Sequence, residues 1–182
     1  MALTNYGDLT DSIKEWSART DLGSNLLAVC VDLTVSTFNY GDAGNEVPPL
    51  RVRDMETTAT ITVTSGSGCL PSDFLEVIKV KDPGSTTRNI AYAPDEWIDE
   101  NFPDGQDDTY PDFYTIRGSS FICTITVSMT YYAKITALAG VASATNWLLT
   151  KAPNAYLYGG LMQYSIWNRN AENVGYYRGL MM

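Results

Sequence analysis

Glycine and proline punctuate the middle of this 182-residue chain and mark points at which a helix or a strand is interrupted. Gly41-Asp-Ala-Gly-Asn-Glu-Val-Pro-Pro49 reads as a loop, Ser65-Gly-Ser-Gly68 and Asp82-Pro-Gly84 as turns, and Gly118-Ser-Ser120 as a hairpin turn. The stretches between them are short and alternating: Ala59, Ile61 and Val63 set among threonines, Asp73 to Lys81, Asn89 to Tyr92, Phe113 to Arg117, and Phe121 to Lys134. A period of two buries one face of a strand, so this region is predicted to be a β-meander. Its last segment, long, aromatic and β-branched, is expected as one central strand. Pro94-Asp-Glu-Trp-Ile-Asp-Glu100 is the exception, one or two helical turns with proline at the start and acids where the helix dipole favours them. A polar loop follows to Pro111.

The two ends have another rhythm. Leu9, Ile13 and Trp16 fall at i, i+4 and i+7 behind Asn5 and Asp8, which resemble a capping box, so a short amphipathic helix is predicted there. In the C-terminal quarter Thr145 can cap a helix containing Trp147, Leu148 and Leu149, which Pro153 kinks or restarts. Tyr156, Gly160, Tyr164 and Trp167 share a face, and Gly159 and Gly160 let another backbone approach closely. From Ser24 to Tyr40 two patterns compete. Leu27, Val29, Val31, Leu33 and Val35 alternate like a strand, while Leu27, Val31, Thr34 and Phe38 make a helical stripe, and local propensity favours the strand. The sum is an α+β protein in which terminal helices form a bundle and the middle is antiparallel and β-rich. We expect a single domain, helical over about 145–180 and β-rich over about 57–135, with helix over about 5–40 where the helical stripe prevails over the strand pattern at Ser24 to Tyr40.

Composition narrows the function classes. No histidine is present, which removes the commonest general base, zinc ligand and partner of a Ser or Cys nucleophile. Ser119 and Ser120 lack a Gly-x-Ser-x-Gly elbow, and no glycine-rich run forms a phosphate cradle. Twelve basic against 21 acidic residues, net −9, argue against a protein built to grip phosphates. Cys30, Cys69 and Cys123 are an odd number at wide spacing, expected to be buried free thiols and not a disulfide framework or metal knuckle. The acids Asp95, Glu96, Asp99, Glu100, Asp104, Asp107, Asp108 and Asp112 run without an intervening Lys or Arg. Their spacing does not fit an EF-hand, and a pair such as Asp99 and Asp108 is too easily found in so acidic a chain to mark a glycosidase. We read the run as a solvated loop. No cofactor or metal is expected, no segment has the length of a membrane span, and Met1 to Thr10 has no signal-peptide pattern, which suggests a cytoplasmic product. The aromatics Tyr131, Tyr132, Tyr156, Tyr158, Tyr164, Trp167, Tyr176 and Tyr177 are numerous enough to suggest a protein–protein surface beside core packing.

An ordered set of short motifs adds to this. Tyr6-Gly-Asp-Leu9 with Trp16, Arg51-Val-Arg-Asp-Met-Glu56 and Leu70-Pro-Ser-Asp-Phe-Leu75 come first. Met129-Thr-Tyr-Tyr-Ala-Lys-Ile135, Thr145-Asn-Trp-Leu-Leu-Thr-Lys-Ala-Pro153 and Tyr156-Leu-Tyr-Gly159 follow. In this order and spacing the chain resembles the head-to-tail adaptor proteins of tailed phages. The resemblance implies a long helix at Ser24 to Tyr40, packed on the first and last helices, against the local strand pattern. It also implies a structural virion protein without catalytic residues, assembled in the host cytoplasm into a twelvefold ring at the neck. Such a ring meets the portal above and a stopper, nozzle or tail tube below, and DNA passes through it without specific binding. On that reading the candidate subunit or portal interface is Trp147, Tyr156, Tyr158, Tyr164 and Trp167, and the candidate lumen or docking loop is Asp104, Asp107, Asp108 and Asp112. Other neck proteins, such as a stopper or tail-completion protein, are the alternative, and a tail-borne cell-wall hydrolase is a more distant one.

Overall fold

The structure, a computed structural model, describes residues 3–84, 88–102, 113–138 and 140–181. It is α+β, and its contacts divide it into a helical unit, 1–51 with 135–182, and a β unit, 52–134.

In the helical unit, α1 (Tyr6–Trp16) starts where Asn5 Oδ1 accepts the Asp8 N–H at 3.0 Å. The Asp8 carboxylate turns to Thr4, which donates to it through both N–H and hydroxyl, and these bonds hold its pKa below the usual carboxylate value. The Tyr6 and Gly7 amides donate to the Ala144 and Ala142 carbonyls, satisfying first-turn groups that a helix leaves open.

Ser24–Tyr40 is a helix, α2. Leu27, Cys30, Val31, Thr34, Val35 and Phe38 are buried, whereas Val29 and Leu33, which a strand would bury with Leu27 and Val31, face outward. The helical stripe wins because most helix stability comes from packing an apolar face, here against a C-terminal helix. The threonines adapt by bonding to the preceding turn, Thr34 Oγ1 to the Cys30 carbonyl and Thr37 Oγ1 to that of Leu33.

Helix α4 (Trp147–Lys151) is capped by Asn146, one residue after the expected Thr145. The reason is reach: Asn146 Oδ1 accepts the Leu149 N–H, and its Nδ2 donates to the Thr136 carbonyl and to Tyr156 Oη, each at 2.7 Å. Pro153 restarts the chain as α5 (Pro153–Trp167), where proline at the first position costs no hydrogen bond. Helix α5 is the axis of the unit, buried from Gly159 through Ser165 and packed against α1, α2, α4 and α6 (Ala171–Met181). A β-carbon at Gly159 would lie 2.3 Å from Thr34 Cγ2, and one at Gly160 would lie 2.6 Å from Ile13 Cδ1, so the two glycines set how closely α2 and α1 approach.

The β unit holds a seven-stranded sheet in the order β1-β7-β3-β4-β5-β6-β2. The strands are β1 (Glu56–Ile61), β2 (Ser67–Cys69), β3 (Phe74–Lys81), β4 (Asn89–Tyr92), β5 (Phe113–Arg117), β6 (Ser120–Ile122) and β7 (Val127–Ala133). It is not a meander: β1 pairs with β7, and β4 runs parallel to β5, with α3 (Asp95–Asn101) on the connection between them. The sheet curls so that its end strands meet, with Thr64 bridged to Ser67. At that meeting a β-carbon on Gly68 would stand 2.7 Å from the Thr62 carbonyl oxygen.

The curl also explains why Phe121 to Lys134 is two strands. β6 lies between β5 and β2 at one end of the sheet order, whereas β7 lies between β1 and β3 at the other. Residues 123–126 carry the chain across, held where Cys123 N–H meets the Gly66 carbonyl and Val63 N–H meets Thr126 Oγ1. Val127, Met129 and Tyr131 point inward at period two and join Ile61, Val80, Ile90, Tyr114 and Phe121 in one core. Cys30 and Cys123 are buried, but Cys69 is exposed, because it sits on the outward side of the short β2 with Gly68 taking the inward position.

Three buried protons tie stability to alkaline pH. Burial pushes Cys30 up from 9.0 to about 11 and Tyr156 up from 10.0 to about 12. Tyr131 rises from 10.0 to about 12 through burial and then through its hydrogen bond to Asp73. Each pKa is raised on folding, so the stability it carries is complete below the unfolded value and is lost as pH climbs through the folded one. Urea midpoints are expected to be level from pH 6 to 8, where no histidine titrates, and to fall steadily from about pH 9 to 12. A midpoint that rises over the alkaline range contradicts this.

Candidate functional site

The five aromatics singled out as an interface do not form one surface. Tyr156 is fully buried, stacked edge-on against Phe38 at 5.5 Å with its hydroxyl held by Asn146, and has no surface to give a partner. Tyr164 is also in the core, with the Trp167 ring tilted beside it, centroids 6.0 Å apart. Trp147 and Tyr158 are half-buried, and Tyr158 packs edge-on against Trp16 of α1 at 6.0 Å. Trp167 and Trp16 are each more than half exposed, at 56% and 52%.

Sequence reasoning missed the longer exposed stripe, Val29, Leu33 and Tyr40 on the outer side of α2. The signal was present: residues 27–35 carry more apolar side chains than one helical face can bury, so burying Leu27, Val31 and Val35 leaves Val29 and Leu33 outside. On α6 no residue is fully buried, and Tyr176 and Leu180 are exposed. Single exposed apolar residues are ordinary, whereas Val29, Leu33 and Tyr40 fall on one face of the same helix.

Of the acidic run, Asp104, Asp107, Asp108 and Asp112 lie outside the described residues. Its earlier members are on α3. Asp95 makes a two-pronged ion pair with Arg117 of β5, and Asp99 lies 3.8 Å from the same guanidinium. Glu96 and Glu100 face solvent one helical turn apart. Trp97 fixes the helix to the sheet, edge-on to Phe113 at 4.7 Å with Phe102 beside both. Among the described residues no group of three or more Cys, Asp and Glu side chains is placed to hold a metal. Ser119 is an exposed turn residue whose carbonyl accepts the Leu70 N–H. No described helix is long and apolar enough to cross a membrane.

Formal charge is unevenly shared. Residues 52–134 hold six basic and thirteen acidic side chains, net −7, and the remainder hold six and eight, net −2. Across residues 4–181 the chain matches a family profile described as SU10 adaptor protein. No curated protein matches it.

Proposed function

The chain belongs to the SU10 adaptor protein family, a phage head-tail adaptor family, and from that premise we propose that it is a structural subunit of the virion neck that works as a closed ring between portal and tail. The observation that carries the ring is the uncovered apolar surface of the helical unit, Val29, Leu33 and Tyr40 with Trp16 and Trp167, on a chain whose core is already complete. A ring needs a head-to-tail contact in which one face of each subunit meets a different face of the next. Exposed and half-exposed aromatics, Trp16, Trp147, Tyr158 and Trp167, supply the large rigid side chains that anchor such contacts.

The role requires no catalysis, and no histidine is present to serve it. DNA is a passenger. The β unit, net −7, repeated around a channel repels phosphates, so the duplex slides instead of adhering. Asp104, Asp107, Asp108 and Asp112 add to that charge, and on this reading they remain the candidates for a lumen or docking role.

The test is peptide quantitation in purified particles against the portal subunit. A ratio near one is expected. Absence from particles overturns the adaptor reading, and a large excess moves the chain to a head or tail-tube position.

A further inference from the structure

Between the end of α5 and α6 lies a groove of about 420 Å³. Ile166, Ala171 and Val174 give it an apolar floor, and Arg169 and Arg178 stand on its walls. Arg178 is partly neutralised, since it donates to the Asn45 carbonyl at 3.1 Å and to Glu46 at 3.0 Å. Arg169 has no side-chain partner among the described residues. It also sits at φ 56°, a left-handed conformation that glycine or asparagine adopts at lower cost when a helix ends. Arg169 is exposed just past the end of α5, where a cation suits the helix dipole, and its guanidinium is open to a partner.

The same chain carries the complement. On α3, Arg117 engages Asp95 and Asp99, which leaves Glu96 and Glu100 exposed, one turn apart and without a cationic partner among the described residues. We propose that the α5–α6 groove of one subunit receives α3 of a second copy, with Glu96 and Glu100 set against Arg169 and the groove's apolar floor covered by the docked helix. This rests on the ring reading and deepens it: a surface of the helical unit meets a surface of the β unit of the next copy, the heterologous contact a closed ring requires. Partly desolvated charge pairs of this kind set partner and register and are weakened by salt.

The test supplies full-length variants during particle assembly and counts copies per purified particle. Arg169→Glu alone, and Glu96→Arg with Glu100→Arg, are each expected to lower incorporation by about tenfold or more, as close interfacial charge pairs do when reversed. All three changes together restore most of it. Arg169→Gly separates docking from folding: it relieves the left-handed strain, so its thermal unfolding is unchanged or higher, while its incorporation drops. Normal incorporation of Arg169→Glu, or losses that the triple variant fails to repair, overturn the groove while leaving the ring in place. A wild-type chain missing from particles overturns the ring and the groove with it.

Discussion

Gly159→Leu abolishes folding of the helical unit. The β-carbon of any residue at 159 lies 2.3 Å from Thr34 Cγ2, and Met181 Sδ closes the same space at 3.3 Å. Thr34 is on a helix, 1% exposed, with its hydroxyl committed to the Cys30 carbonyl, so it cannot swing aside. The smaller Gly159→Ala decides between two effects. Replacing glycine inside a helix gains about 1 kcal/mol of propensity, but overpacking a filled core costs about 1–3 kcal/mol. At 2.3 Å the contact lies far inside van der Waals range, so overpacking prevails and the variant loses stability in urea. Pairing it with Thr34→Ser removes the clashing methyl and keeps the hydroxyl, so the double variant is expected to regain most of the loss, a non-additivity that direct contact produces. Gly159→Ala as stable as wild type would show that α2 and α5 are farther apart than described.

Phe121→Ala is the counterpart in the β unit. Phe121 is 0% exposed, stacks on Tyr114 with ring centroids 5.1 Å apart, and lies on β6 where the curled sheet brings β2 and β5 together. Truncating a buried phenylalanine costs about 3–5 kcal/mol through lost transfer energy and the cavity left behind. That approaches the whole stability of a typical domain, about 5–15 kcal/mol. The near-ultraviolet signal of the β unit should therefore collapse at markedly lower urea. Phe121→Leu, which leaves a smaller void, should keep the fold at a cost of about 1–2 kcal/mol. A loss under 1 kcal/mol for Phe121→Ala would mean that the sheet does not close around this side chain.

Features written in local chemistry were legible before the structure. Asn5 caps α1, Pro153 restarts a helix, Asp82-Pro-Gly84 ends β3, and Gly159 with Gly160 permits close approach. Each depends on residues within one turn or on the bare absence of a side chain. Features that depend on distant partners were not. The apolar run at Phe121 to Lys134 gives no sign that its partners change at residues 123–126, because that change belongs to the curl of the whole sheet. The parallel pairing of β4 with β5 is hidden for the same reason. At Ser24 to Tyr40 local propensity pointed to a strand and only the family resemblance to a helix, because packing against α5 decides it.

The candidate surface shows the same limit from another side. Tyr156 and Trp167 look alike in sequence, both large, aromatic and on α5, yet one is sealed in the core and the other is more than half exposed. The positions are eleven residues apart, which advances about 20° beyond three full turns on an ideal helix. They differ because α5 is enclosed along its middle and emerges at its C-terminal end. Composition cannot separate those two fates.

The most direct test of the central claim is a reconstruction of the phage neck with no symmetry imposed. We expect a closed ring of twelve copies directly beneath the portal, with Val29, Leu33 and Trp167 covered by neighbouring chains and α3 of each copy lying in the α5–α6 groove of the next. Density for this chain found elsewhere in the particle, or isolated copies at the neck without mutual contacts, would contradict the account.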